Sequence, residues 1–198
     1  MKKLGIIICG LVLMMGCERN IYRFTEGSVY GTVYHVSYQS EVDYTVEIRQ
    51  EMERVNQSLS MFNKESVIAR WNRGESERVD SLFVTMYEKA REVYEATGGG
   101  FDITVAPLVN AWGFGFKNEK LPSDGKIDSL LQYVGMDKVQ LEGVRLVKLV
   151  EGVQIDASSI AKGLGVDLVA EFFDRKGVQN YMIEIGGEIR VKGESNKQ

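Results

Sequence analysis

The chain has 198 residues, of which 44% are hydrophobic and 26% charged, and its formal net charge is −4. That is enough chain for one large domain or two small ones, with the composition of an ordinary globular protein. The acidic balance offers no basic footprint for nucleic acid. A lone histidine, His35, excludes histidine-cluster metal sites and multi-histidine relays.

The first seventeen residues, "MKKLGIIICGLVLMMGC", set Lys2 and Lys3 before an apolar run from Leu4 to Met15. The run is too short to span a bilayer and reads as a secretory signal over residues 1–16. Its end at Gly16-Cys17 resembles a bacterial lipoprotein signal, with Cys17 as the lipidated first residue and Met14 where leucine is usual. Ordinary cleavage near Gly16, leaving a free Cys17 thiol, is the alternative. Cys9 and Cys17 are the only cysteines, so the exported domain is expected to hold no internal disulfide. Residues 17–27 read as a tether and 28–198 as the folded domain.

"GSVYGTVYHVSYQS" alternates and is rich in Tyr and Val, which predicts a strand or hairpin. Residues 42–59 place Val46, Met52, Val55 and Leu59 at helical spacing. Residues 81–96 do the same from Leu82 to Tyr94, with Asp80 as N-cap and Gly98 as stop. "TGGGFDITVAPLVNAWGFGF" follows, at 97–116. One glycine fits a left-handed helix cap, and the other two suggest close approach by a ligand or another strand. Asp102 suits either a ligand's amino or hydroxyl groups or a turn. Trp112, Phe114 and Phe116 read as core packing.

A helix is predicted after Pro122, capped by Ser123 or Asp124 and ending at Gly135. "KVQLEGVRLVKLVEGVQID" reads as short strands joined by Gly143 and Gly152. Residues 158–175 form another helix, and "QNYMIEIGGEIRVKG" gives strands around Gly186-Gly187. Within "VQIDASSIAKGLGVD", a strand ends at Asp156 and a helix begins near Ser158, with Lys162 one turn in. Free N–H groups and a cation at a helix start favour phosphate. In the plainer reading, Asp156 caps the helix and Lys162 is solvated. No P-loop pattern is present. Helices and strands are interspersed without a strict βαβ rhythm, so the expected class is α+β, with mixed or antiparallel sheets and packed helices.

Five stretches, "GTVYHVSY", "LSMFNKESVIARWN", "TGGGFDITVAPLVNAWGFG", "IDASSIAKGLGVD" and "YMIEIGGEIRVKG", together resemble the successive motifs of the ApbE family, the FAD:protein FMN transferases. The resemblance implies that FAD is split at its pyrophosphate, that FMN passes to a threonine of an acceptor protein as a phosphoester, and that AMP leaves, with Mg²⁺ as cofactor. Some members hydrolyse FAD instead. Members are exported proteins or lipoproteins, which implies membrane anchoring through Cys17 on the periplasmic side. Residue by residue, the resemblance implies FAD contacts at Tyr30, Phe62, Gly100, Phe101, Asp102, Asp156 and Lys162, and a metal ligand at Ser159. It assigns no catalytic residue. Phe62 and the Trp112 region would offer a slot for the flavin ring. The family's later section, with its main metal carboxylate, has no counterpart before Gln198, so the chain is expected to correspond to the N-terminal two-thirds of the family fold. The reading from another class is an FAD-binding lipoprotein without catalysis.

Overall fold

Residues 21–114 and 121–194 are described by a computed structural model of the chain. The signal, Cys17 and Phe116 lie outside them. In chain order the strands are β1 (Tyr22–Val29), β2 (Thr32–Gln39), β3 (Val139–Glu142), β4 (Arg145–Lys148), β5 (Tyr181–Ile185) and β6 (Glu188–Lys192). The helices are α1 (Thr45–Leu59), α2 (Val67–Asn72), α3 (Ser81–Ala96), α4 (Ala106–Ala111), α5 (Asp124–Leu131) and α6 (Ala161–Arg175).

Four strands form an antiparallel sheet in the order β1-β2-β5-β6. Both of its hairpins turn through two residues with positive φ, Tyr30-Gly31 at 52° and 76° and Gly186-Gly187 at 56° and 96°. Such turns match the right-handed twist of the strands they join. Alternation along β2 and β5 buries Tyr34, Val36, Tyr38, Tyr181, Ile183 and Ile185 on one face. The buried stripes of α1 and α6 complete this core. The sequence placed a tether over residues 17–27, but Tyr22 to Gly27 already pair with Tyr34 to Gln39. Their pattern was hard to read because only Thr25 in β1 is buried.

The α1 stripe is Ile48, Met52, Val55 and Leu59. Val46, expected on it, is exposed, because Ile48 is the residue one turn before Met52.

A second core lies around α2, α3 and the β3–β4 hairpin, with Trp71, Phe83, Met86, Tyr87 and Leu146 fully buried. α3 keeps its expected bounds. The Asp80 carboxylate accepts from the Phe83 N–H at 2.8 Å and from the Ser58 hydroxyl at 2.8 Å, so one cap also ties α3 to α1. At α5, Ser123 is the cap, and the helix stops at Leu131, short of Gly135. The expected strand after Gly152 is reduced to an isolated parallel bridge between Val105 and Gln154. The α+β class with antiparallel sheets and packed helices is observed.

Candidate functional site

Tyr30 sits at the tip of the first hairpin with φ of 52°, which is rare for a bulky residue. Strained backbone of this kind is held only where the surroundings fix it. Here the phenol donates to the Met52 carbonyl at 2.6 Å, and the ring packs against both cores. A Cβ on Gly165 would come within 3.0 Å of that ring, so the α6 glycine makes room for it. Burial, helped by the Glu53 carboxylate, pushes the Tyr30 phenol well above its ordinary range.

Beside Tyr30 opens a cavity of about 500 Å³, whose walls include Asn56, Met61, Phe62, Ser158 and Lys162. A smaller one of about 130 Å³ shares Met61, Phe62 and Ser158 and adds Phe114 and Asp156. Phe62 projects between them, 71% exposed. Its loop is pinned by serines: the Ser60 hydroxyl accepts from the Phe62 and Asn63 N–H groups, while the buried Ser66 hydroxyl donates to the Ser60 carbonyl at 2.7 Å. Ser66 also caps α2 by accepting from the Ala69 N–H. An exposed aromatic on a braced loop presents a ring face without having to be ordered on binding.

The opposite wall is the start of α6. The Asp156 carboxylate accepts from the Ser158 N–H at 2.7 Å, while the Asp156 N–H donates to the Ile103 carbonyl at 2.7 Å. The Lys162 ammonium, one-third exposed, donates to the Gly186 carbonyl at 3.1 Å and pairs with Glu188 at 3.3 Å. The structure therefore gathers Tyr30, Phe62, Asp156 and Lys162, from three separate motifs, around adjoining cavities. Chemically these offer apolar and aromatic surface at one end and a cation beside a helix start at the other.

The triple glycine ends α3 with two left-handed residues where one was expected. The Gly98 and Gly99 N–H groups donate to the Glu95 and Tyr94 carbonyls, the Schellman end of α3, and both residues have positive φ. Two of the three glycines are thus required by the chain reversal. Gly100 N–H donates to the Thr97 carbonyl and continues the same turn. Phe101 packs against the second core. Asp102 stands in a turn, its Oδ1 accepting from the Thr104 N–H at 2.7 Å and the Thr104 hydroxyl at 2.6 Å. None of Gly100, Phe101 and Asp102 belongs to the walls of the two cavities. Thr104 is fully buried and also accepts from the Gly135 N–H. Asp102→Ala is accordingly expected to cost about 1–3 kcal/mol, the penalty of stranding buried donors. A urea midpoint equal to that of the unsubstituted protein would contradict this.

Trp112 and Phe114, expected in the core, are 44% and 82% exposed. They follow the short α4, whose apolar contacts are made by Ala106 and Pro107 instead. Phe114 and Phe62 both line the smaller cavity. Ser159 is exposed on the turn before α6. Mg²⁺ binds through oxygen and commonly needs one or two carboxylates. Among the described residues no cluster of three or more His, Cys, Asp or Glu could hold a metal ion, so these residues alone do not fit Mg²⁺.

Sequence reasoning missed Asn56, Met61 and Ser158 as cavity walls. Met61 adjoins Phe62 in the motif already singled out, and Asn56 lies one turn from Ser60 along the chain of α1. Position in a helical register was the available signal.

The ApbE family model matches residues 30–198. The FAD:protein FMN transferase of Vibrio cholerae is 34% identical over 98% of this chain, and that of Haemophilus influenzae 36% identical over 98%. The chain spans 61% and 62% of the lengths of these relatives. Among solved structures, the flavin transferase ApbE from Vibrio cholerae superposes with a TM-score of 0.84 at 34% identity, covering 88% of this chain and 60% of that one. The apo flavinyl transferase ApbE of Pseudomonas stutzeri gives 0.82 at 29% identity, covering 88% and 59%.

Proposed function

Because the chain belongs to the ApbE family, we propose that it serves transfer of FMN from FAD to a threonine of an acceptor protein. The observation that supports this most is the convergence of Tyr30, Phe62, Asp156 and Lys162 on adjoining cavities. On this reading the isoalloxazine ring lies against Phe62 and Met61, and the diphosphate lies at the start of α6. FAD supplies the phosphoanhydride bond. The acceptor hydroxyl forms a bond to the FMN phosphorus, the bond to the AMP phosphate breaks, and the hydroxyl proton goes to solvent or a base. Lys162 would leave its Glu188 partner to offset the diphosphate charge beside the free N–H groups of the helix start. The braced Phe62 loop holds the ring and excludes water from one side of it.

The test is AMP formation from FAD by the purified protein, with and without a threonine-bearing acceptor and with and without EDTA. Acceptor-dependent AMP that EDTA abolishes supports a Mg²⁺-dependent transferase. Acceptor-independent AMP means a hydrolase, and bound FAD that is never cleaved means a flavin-binding protein.

We also propose export and anchoring through a lipid on Cys17, facing the periplasm. Support comes from the basic, apolar, Gly16-Cys17 order of the N-terminus. No helix among the described residues is long and apolar enough to cross a membrane. Acyl chains contribute about 0.8 kcal/mol per buried CH₂, so Cys17→Ser should move the protein from the membrane fraction to the soluble one or leave its signal uncleaved. Membrane attachment that survives the change, with no lipid mass on Cys17 of the unsubstituted protein, would end the idea.

A further inference from the structure

Asn72 is the last residue of α2 and is not a wall of either cavity. Its Nδ2 donates to the Ile155 carbonyl at 2.9 Å, and its Oδ1 accepts from the Ile155 N–H at 2.8 Å. One side-chain amide thus satisfies both backbone groups of a fully buried residue, as a neighbouring strand would. The next residue is Asp156, which fixes the Ser158 N–H. The same Nδ2 lies 3.8 Å from the Met61 sulfur, on the opposite cavity wall. Asn72 therefore touches Met61 of one wall and the residue that precedes Asp156 of the other.

We infer that Asn72 is a positioning residue for flavin binding, setting the separation of the Met61–Phe62 and Asp156–Ser158 walls. The inference rests on the reading that this groove takes FAD. Its chemistry makes a specific demand, one donor and one acceptor on a short planar side chain. An ionised carboxylate at this position offers acceptors only and would face the Ile155 carbonyl. A neutral carboxyl offers one of each and restores the pairing. Repulsion from that carbonyl and burial raise the carboxyl's pKa, against the pull of the Lys148 ammonium, which donates to the Asn72 carbonyl at 3.0 Å.

The experiment is FAD affinity of the full chain, by flavin fluorescence, for Asn72→Asp and Asn72→Ala at about pH 8 and about pH 5, values on either side of a raised carboxyl pKa. Each variant is compared with the unsubstituted protein at the same pH, well below its Tm. N72D should bind about tenfold more weakly at the higher pH and recover at the lower one, while N72A stays weak at both. Affinities equal to the unsubstituted protein, with only Tm lowered, would make Asn72 a brace of the fold and overturn the inference. If N72D does not fold at the higher pH, its comparison with N72A at the lower pH decides. If neither folds, amide exchange in the unsubstituted protein decides: slowing by FAD that is larger at Ile155 than at other amides of the second core supports the inference, and uniform or no slowing overturns it. Failure of the unsubstituted protein to bind FAD would instead refute the site itself.

Discussion

Trp71→Ala is expected to lower unfolding free energy by about 3–5 kcal/mol, the usual cost of truncating a large buried aromatic. Three separate contacts place it at the upper end. The ring is 1% exposed and packs against Phe83 with centroids 6.5 Å apart. Its Nε1 donates to the Leu146 carbonyl at 2.8 Å, joining α2 to β4. The Lys148 ammonium lies 4.4 Å from the ring centroid and donates to the Asn72 carbonyl at 3.0 Å. Burial already lowers the Lys148 pKa, so removal of the ring face leaves a desolvated cation with less to offset it. Chemical denaturation followed by far-UV circular dichroism gives the number. A loss below about 1 kcal/mol would mean that the second core closes over the gap.

Lys162→Ala is expected to weaken FAD binding by roughly ten- to a hundredfold, since a hydrogen bond to a charged group is worth about 1.5–3 kcal/mol. The same change should affect folding much less. The Lys162–Glu188 pair is partly exposed, and pairs of that kind contribute about 0–1 kcal/mol. Titration of FAD by fluorescence and a thermal melt on one preparation separate the two effects. Unchanged affinity with a lowered Tm would confine Lys162 to tying α6 to the β5–β6 turn.

Much of the fold was legible because its long helices carry both periodicity and caps. Asp80 and Gly98 marked α3 to the residue, since a side-chain acceptor at the start and a left-handed residue at the end are local requirements. The six-residue helices α2 and α4 were not legible, as fewer than two turns give no repeat to read. β1 was hidden for another reason: with one buried side chain it lacks the alternation that identified β2. In the site, Phe62, Asp156 and Lys162 were found by motif, and their convergence needed the fold. Asn72 closes the motif "LSMFNKESVIARWN", but its role did not show there, because pairing an amide with a backbone 83 residues away is a tertiary fact. A Schellman turn and a ligand approach leave the same mark in sequence, and it is the hydrogen bonds and φ values at Gly98 and Gly99 that show the turn.

Occupation by FAD of the groove between Tyr30, Phe62 and Lys162, as proposed, is tested most directly by calorimetric titration of FAD into the purified protein, repeated with Phe62→Ala. Stacking of the flavin on an aromatic ring contributes about 0.5–1.5 kcal/mol beyond area burial. Saturable binding by the unsubstituted protein is expected, with a weaker affinity for Phe62→Ala at unchanged Tm. Saturable binding that Phe62→Ala leaves untouched would place the flavin elsewhere and contradict it.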